Sequence, residues 1–229
     1  MLRKYFLIIF LISYQLVPAQ TSAEDNLGSW LMYFGTHQIN EKYSIHYETQ
    51  LRNYEVFGNF FQLLPRVGLN YNIAENSMVT AGYAWIPTQP IINEGWNNEL
   101  VTENRIWEQF ILRNKINNIK IRHRYRLEQR WVKYAGITTY KNRARYMLSF
   151  RIPLNKNPEF PLFISLYDEI FLNISKTPFD QNRLYSALGI QVNKNMNIQA
   201  GYLRHRLGSQ NLDRLQLAIF LNTGNKERD

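Results

Sequence analysis

The sequence predicts an all-β fold, an antiparallel transmembrane up-and-down β-barrel of about 10–12 strands. Three observations predict it: repeated runs of alternating polarity, arginines confined to one face of those runs, and a leader that marks the chain for export.

The leader begins with Arg3 and Lys4, a short basic start. Tyr5 to Leu16 follows as an almost unbroken apolar run, and Val17 and Ala19 are small residues before a cut at Ala19/Gln20. This order predicts a secretory signal peptide over residues 1–19, and its apolar run is too short for a comfortable spanning helix. Residues 20–229 then form one domain, with no linker, no low-complexity tract and no second long apolar stretch. Cysteine is absent, so neither disulfides nor a lipid-modified cysteine after the leader is available. The formal charge of +9 becomes +7 once Arg3 and Lys4 leave. A basic excess suits nucleic acid, acidic lipid or an anion-lined cavity, and export argues against nucleic acid.

Tyr43 to Tyr54 gives the clearest strand. Tyr43, Ile45, Tyr47, Thr49 and Leu51 fall on one side, and Ser44, His46, Glu48, Gln50 and Arg52 on the other. In 119–132, Ile119, Ile121, Tyr125, Leu127 and Trp131 oppose Lys120, Arg122, Arg124, Arg126, Glu128 and Arg130. In 142–152, Ala144, Tyr146, Leu148, Phe150 and Ile152 oppose Arg143, Arg145, Ser149 and Arg151. The last run sets Leu215, Leu217, Ile219 and Leu221 against Arg214, Gln216 and Asn222. Adding 27–36, 60–71, 78–87, 102–114, 161–172, 182–192 and 197–206 gives eleven candidate strands. Each is about the 9–11 residues that a tilted strand needs to cross a bilayer. A closed antiparallel bacterial barrel has an even number of strands, so ten or twelve is expected. Compact connections are expected near 72–77, 115–118, 153–160 and 193–196, and longer ones at 88–101, 133–141, 173–181 and 207–212. That alternation suits a barrel with short turns on one side of a membrane and loops on the other.

Periodicity alone also fits a soluble barrel with its faces reversed. An arginine on a lipid face costs about 2–4 kcal/mol at the bilayer midplane, and nearly all strand arginines fall on the polar face. Tyr and Trp recur near strand ends, as interfacial girdles require. Glu108, His123 and Gln129 land on the lipid-facing register, which suggests a bulge or an interfacial position, and Asp168 and Glu169 are adjacent, so one of them faces outward unless the strand has ended there.

At residues 103–130 the text becomes recognisable. "ENRIWEQ" (Glu103 to Gln109) and "RYRLEQR" (Arg124 to Arg130) resemble an uncharacterised outer-membrane barrel family, domain of unknown function 2490. Further matches are "YDEIF" (Tyr167 to Phe171), "FDQNRLY" (Phe179 to Tyr185) and "AGYLRH" (Ala200 to His205), and the resemblance runs from Trp30 to Asn222. It implies a small bacterial outer-membrane barrel, often from the Bacteroidetes, of unassigned activity. Many barrels finish on an aromatic residue used in assembly; here Phe220 is followed by the polar tail Asn222 to Asp229.

The candidate site is a charged lumen: Glu48, Arg52, Glu103, Arg105, Arg113, Arg122, Arg124, Arg126, Glu128, Arg130, Arg143, Arg145, Arg151, Glu169 and Arg183. Five N–H donors per guanidinium need acceptors in a confined interior, and carboxylates on neighbouring strands supply them. This gives a space-filling ion-pair network, favoured in a small barrel. The other reading is a porin-like, narrow, anion-preferring passage, because Arg outnumbers acid on these faces.

Three further readings compete with plainer ones. "KIRHRYRLEQR" (120–130) has the composition of an RNA-binding tract, but strict alternation makes it a strand. Ser44, His46 and Glu48 share one face and hold the ingredients of a lipid hydrolase, yet that face is the lumen and acyl chains arrive from outside. A soluble periplasmic binding barrel is the third. An enzyme is the less favoured class. The four histidines lack zinc-ligand spacing, His205 is placed at a strand end near water, and the sequence calls for no cofactor. The loop 88–101, carrying Trp96, is expected to fold over one mouth. Expected partners are outer-membrane lipid and the barrel-assembly machinery.

Overall fold

A computed structural model of the protein describes residues 26–92, 95–96, 99–155 and 161–224, with the backbone alone at 91–92 and 95–96. The expected signal peptide and its expected cleavage site lie outside the described residues, as does the end of the polar tail.

The chain forms β1 (Gly28–Gln38), β2 (Tyr43–Glu55), β3 (Gly58–Ala74), β4 (Ser77–Thr88), β5 (Ile91–Ile92), β6 (Gly95–Trp96), β7 (Val101–Ile116), β8 (Ile119–Tyr134), β9 (Ile137–Pro153), β10 (Leu162–Asn173), β11 (Phe179–Asn193), β12 (Met196–Leu207) and β13 (Gln210–Thr223). Eleven of these close into one barrel; β5 and β6 pair only with each other inside the loop after β4. All eleven expected runs are present. Every sequential pair of barrel strands is antiparallel, and β1 closes on β13 in parallel, from Gly28 beside Arg214 to His37 beside Thr223.

The expected even count is therefore corrected to eleven. In an odd-stranded meander the first and last strands run the same way, so closure requires a parallel seam. Parallel pairing is slightly weaker per residue, but closure removes both sheet edges, whose unpaired backbone groups would otherwise need partners. The seam also places the chain ends at opposite mouths. β1 starts at the near mouth, and β13 ends at the far mouth.

The expected contrast between short and long connections is also corrected. Residues 133–141 are mostly strand, because β8 and β9 meet in a two-residue turn where Ala135 and Gly136 both take positive φ (47° and 76°). Two successive positive φ values give the turn whose twist matches paired strands. Residues 207–212 likewise reduce to a turn at Gly208-Ser209.

Side chains alternate across the wall as the pleat dictates. On β7, Glu103, Arg105, Trp107, Gln109 and Ile111 are buried inward while Ile106 and Phe110 are exposed outward. On β8, Arg126 and Glu128 are buried and Tyr125 and Leu127 exposed. The outer wall thus carries large apolar side chains about half exposed, among them Val67, Leu69, Leu127, Leu184 and Leu188 (50–57%). An apolar concavity of about 840 Å³ lies on this wall, over Leu69, Val79, Ala81, Phe110, Tyr125 and Leu127.

Polar residues on the outer register pair locally. Gln129 donates to Glu108 (3.2 Å), the His123 ring nitrogen lies 2.9 Å from the Tyr146 hydroxyl, and Asn182 donates to Asp168 (2.5 Å). Glu169, by contrast, points inward and is 3% exposed.

Candidate functional site

The interior is built from alternate residues of every barrel strand, and its chemistry divides by wall. Along the seam, Trp30, Met32, Tyr185, Ala187, Leu203 and Ala218 form an apolar cluster joined by Phe34, Tyr167 and Phe220. Phe220 stacks on Phe34 at 4.7 Å inside the barrel, so this terminal aromatic faces the lumen. A second cluster, Leu64, Ala84, Ile86 and Trp107, lies across β3, β4 and β7. Gly68 and Gly82 make room for Trp107, since a Cβ on either would come within 2.6–2.8 Å of the indole ring.

Strands β7 to β11 carry the ion network. Glu128 is its hub, 1% exposed. Its carboxylate accepts from Arg143 Nε and Nη2 (2.8 and 2.6 Å), Arg145 Nη1 (2.6 Å) and Arg105 Nη1 (3.3 Å), with Arg126 at 4.0 Å. Arg145 reaches on to Glu169 (2.7 Å), which also takes Arg124 (2.7 Å). Arg143 spans to Asp180 (2.7 Å). Glu103 accepts from Arg105 (2.6 Å) and, on both oxygens, from Arg130 (2.8 Å each). Only a guanidinium spreads enough donors to bridge two carboxylates in this way.

On the β2–β3 side, Glu48 accepts from Arg66 (3.3 Å) and lies 3.1 Å from the His46 ring nitrogen. A belt of hydrogen bonds crosses five strands: Arg126 donates to Gln109 (2.7 Å), Gln109 to Thr80 (3.1 Å), Thr80 to Asn70 (2.7 Å) and Asn70 to Ser44 (3.0 Å). Arginines also lie on aromatic rings. Arg52 and Arg183 flank Trp30 (4.0 and 4.8 Å), Arg66 and Arg126 flank Trp107 (5.2 and 4.8 Å), and Arg145 covers Phe171 (4.1 Å). Each such contact contributes about 0.5–2 kcal/mol.

A family described as Protein of unknown function (DUF2490) matches residues 27–216, from β1 into β13. The chain belongs to that family. No curated protein matches the chain, and no solved structure does.

The DUF2490 barrel brings together most, but not all, of the site residues expected from the sequence. Glu48, Glu103, Arg105, Arg124, Arg126, Glu128, Arg130, Arg143, Arg145 and Glu169 share ion pairs. Arg52 instead donates to Gln50 and Gln62, Arg183 to Gln181 and Arg151 to Gln191. Arg113 is exposed at the far mouth, and Arg122 has no ion pair among the described residues.

His205 is corrected. It is buried at 6% exposure, 2.7 Å from Gln181 and edge-on to Trp30, not at a watery strand end. Sequence reasoning also passed over Arg66, Asp180 and the inward Trp30 and Trp107. The alternation of β3 held the signal for Arg66, which opposes Val67, Leu69 and Tyr71. Asp180 sits at a bulge, where alternation gives no guide.

Among the described residues Ser44 is bonded to Asn70 and has no hydrogen bond to His46, so no nucleophile–base contact is assembled. No group of three His, Asp or Glu side chains able to hold a metal occurs among them either. Trp96 pairs with Ile91 through its backbone; the placement of its side chain lies outside what is described.

Proposed function

We propose that this DUF2490 chain is an outer-membrane barrel whose interior is sealed by its own side chains. Greasy residues stand half exposed around the outer wall, while Glu128 and four arginines lie buried within. This inside-out distribution carries the reading. In water, that wall would expose far more contiguous apolar area than a monomer tolerates; in lipid it is solvated. A soluble barrel would put such residues in its core and its arginines outside.

Dimensions and rings support the membrane. The barrel strands run 11 to 17 residues, enough to cross a bilayer when tilted. Outward Tyr83, Trp85, Trp131 and Tyr140 sit toward the near mouth, and Tyr43 and Tyr71 toward the far one. The charged groups are spared lipid, and closure satisfies the backbone. On this reading the signal peptide is cut at Ala19/Gln20, and the barrel-assembly machinery inserts the chain into the outer membrane.

Burial favours a seal over a pore. Arg105, Arg126, Arg143, Arg145 and Glu128 are each at most 8% exposed, so no water-filled channel runs beside them. Envelope fractionation tests the location. The protein should stay with membranes after carbonate washing and migrate faster in electrophoresis when unheated. Release into the wash with heat-independent migration would overturn the proposal.

A further inference from the structure

The far mouth gathers cations that, Arg124 apart, pair with no carboxylate among the described residues. Arg113 and Lys115 of β7, Lys120, Arg122 and Arg124 of β8, and Arg151 of β9 all fall on the inward register there. Pairing sets like charges face to face: Arg113 opposite Arg122, Lys115 opposite Lys120, and Lys120 opposite Arg151. Side chains so placed have Cβ atoms about 4.5–5.5 Å apart, and facing like charges destabilise a sheet.

No carboxylate among the described residues pairs with Arg113, Lys115, Lys120, Arg122 or Arg151. Arg113 has only a 3.9 Å contact to the Met78 sulfur, and Arg151 donates to Gln191 (2.6 Å). The Nε groups of Arg122 and Arg124 are buried without a partner. Deeper in, the Nε of Arg66 is in the same state, on a residue only 6% exposed. Buried charged donors left unmade are costly, so an acceptor is expected. Below them the lumen is blocked by Trp107 and Glu128, at 0% and 1% exposure.

We propose that the far mouth is a blind cationic cup for a soluble, multiply charged phosphate-bearing anion. The chemistry selects the class. A monocarboxylate would neutralise one cation of the set, whereas a pyrophosphate or phosphomonoester brings several charges and acceptor oxygens to guanidinium forks. The cations face the lumen, so a headgroup tethered to acyl chains outside the wall does not reach them. The cup requires the closed barrel, but not its location in a membrane.

The test is calorimetric titration of the folded full-length protein in zwitterionic detergent with inorganic pyrophosphate at low ionic strength. One saturable site is expected, weakening as salt rises, with sodium chloride at matched ionic strength giving none. The double variant Lys120→Gln/Arg122→Gln should lose about tenfold or more in affinity, while Arg204→Gln, exposed on the outer wall toward the near mouth, should bind unchanged. Heat-dependent mobility of each variant confirms that the barrel is intact. Equal binding by the double variant, or no binding beyond that of chloride, would sink the cup; displacement of pyrophosphate by micellar phosphatidic acid would overturn the soluble source.

Discussion

At the scale of single residues, the interior turns on how few acids serve so many guanidinium groups. Glu128 faces Arg105, Arg126, Arg143 and Arg145, so removing its charge strips Arg126 of its ion pair and leaves the other three with one acid each. Breaking a buried pair by deleting one partner costs about 3–5 kcal/mol, and Glu128→Gln should lower stability by that order. Arg145→Lys keeps the charge but loses the fork that joins Glu128 to Glu169, and should cost about 1–3 kcal/mol. Urea unfolding followed by tryptophan fluorescence measures both. An Arg145→Lys variant as stable as the parent would mean that charge, not geometry, holds the network. Alternation alone identified nearly all of these charged side chains, because most of them alternate with an apolar residue that cannot also face inward. It could not say which acid each arginine meets, since that depends on strand register and on reach across the lumen. His205 shows the same boundary: its side of the strand follows from period two, but its burial against Trp30 depends on strands far away in sequence.

At the scale of elements, the strands were legible and their ends less so. Runs such as 119–132 and 142–152 are prolonged in β8 and β9 by exposed residues whose apolar members, Tyr134, Ile137 and Tyr140, do not fall on one face, so alternation does not mark them as strand. Their turn uses Ala135-Gly136 where Asn-Gly or Asp-Gly would have announced a hairpin. The parallel seam was illegible for a different reason: closure is a property of the count, and no local segment encodes it. The absence of cysteine makes the seam directly testable. Leu31 lies beside Leu217, so the double variant Leu31→Cys/Leu217→Cys should form a disulfide on mild oxidation and shift the migration of the unfolded chain. Moving one cysteine to Leu215 offsets the pair along the strands and should sharply reduce cross-linking. Equal yields from the two pairs would refute the register.

At the scale of the whole molecule, the two walls of the interior do different work. The seam wall packs aromatic and aliphatic side chains, and the β7–β11 wall packs ions, so the lumen is filled from both sides. Sequence patterning suggested a charged lumen because Tyr185 and Leu203 occupy inward positions on strands whose other inward residues are mostly polar. Reconstitution into planar bilayers should give no stable conductance at high protein load. Anion-selective steps would instead support the narrow passage, the second reading that the excess of arginine favours. Eleven strands have one more effect, on access. A hairpin meander with an even count returns its last residue to the side where it began, whereas here Gly28 and Thr223 lie at opposite mouths, which the proposed membrane would place in different compartments. An antibody epitope spliced in before Gly28 and another after Thr223 would therefore never be stained together on an intact cell.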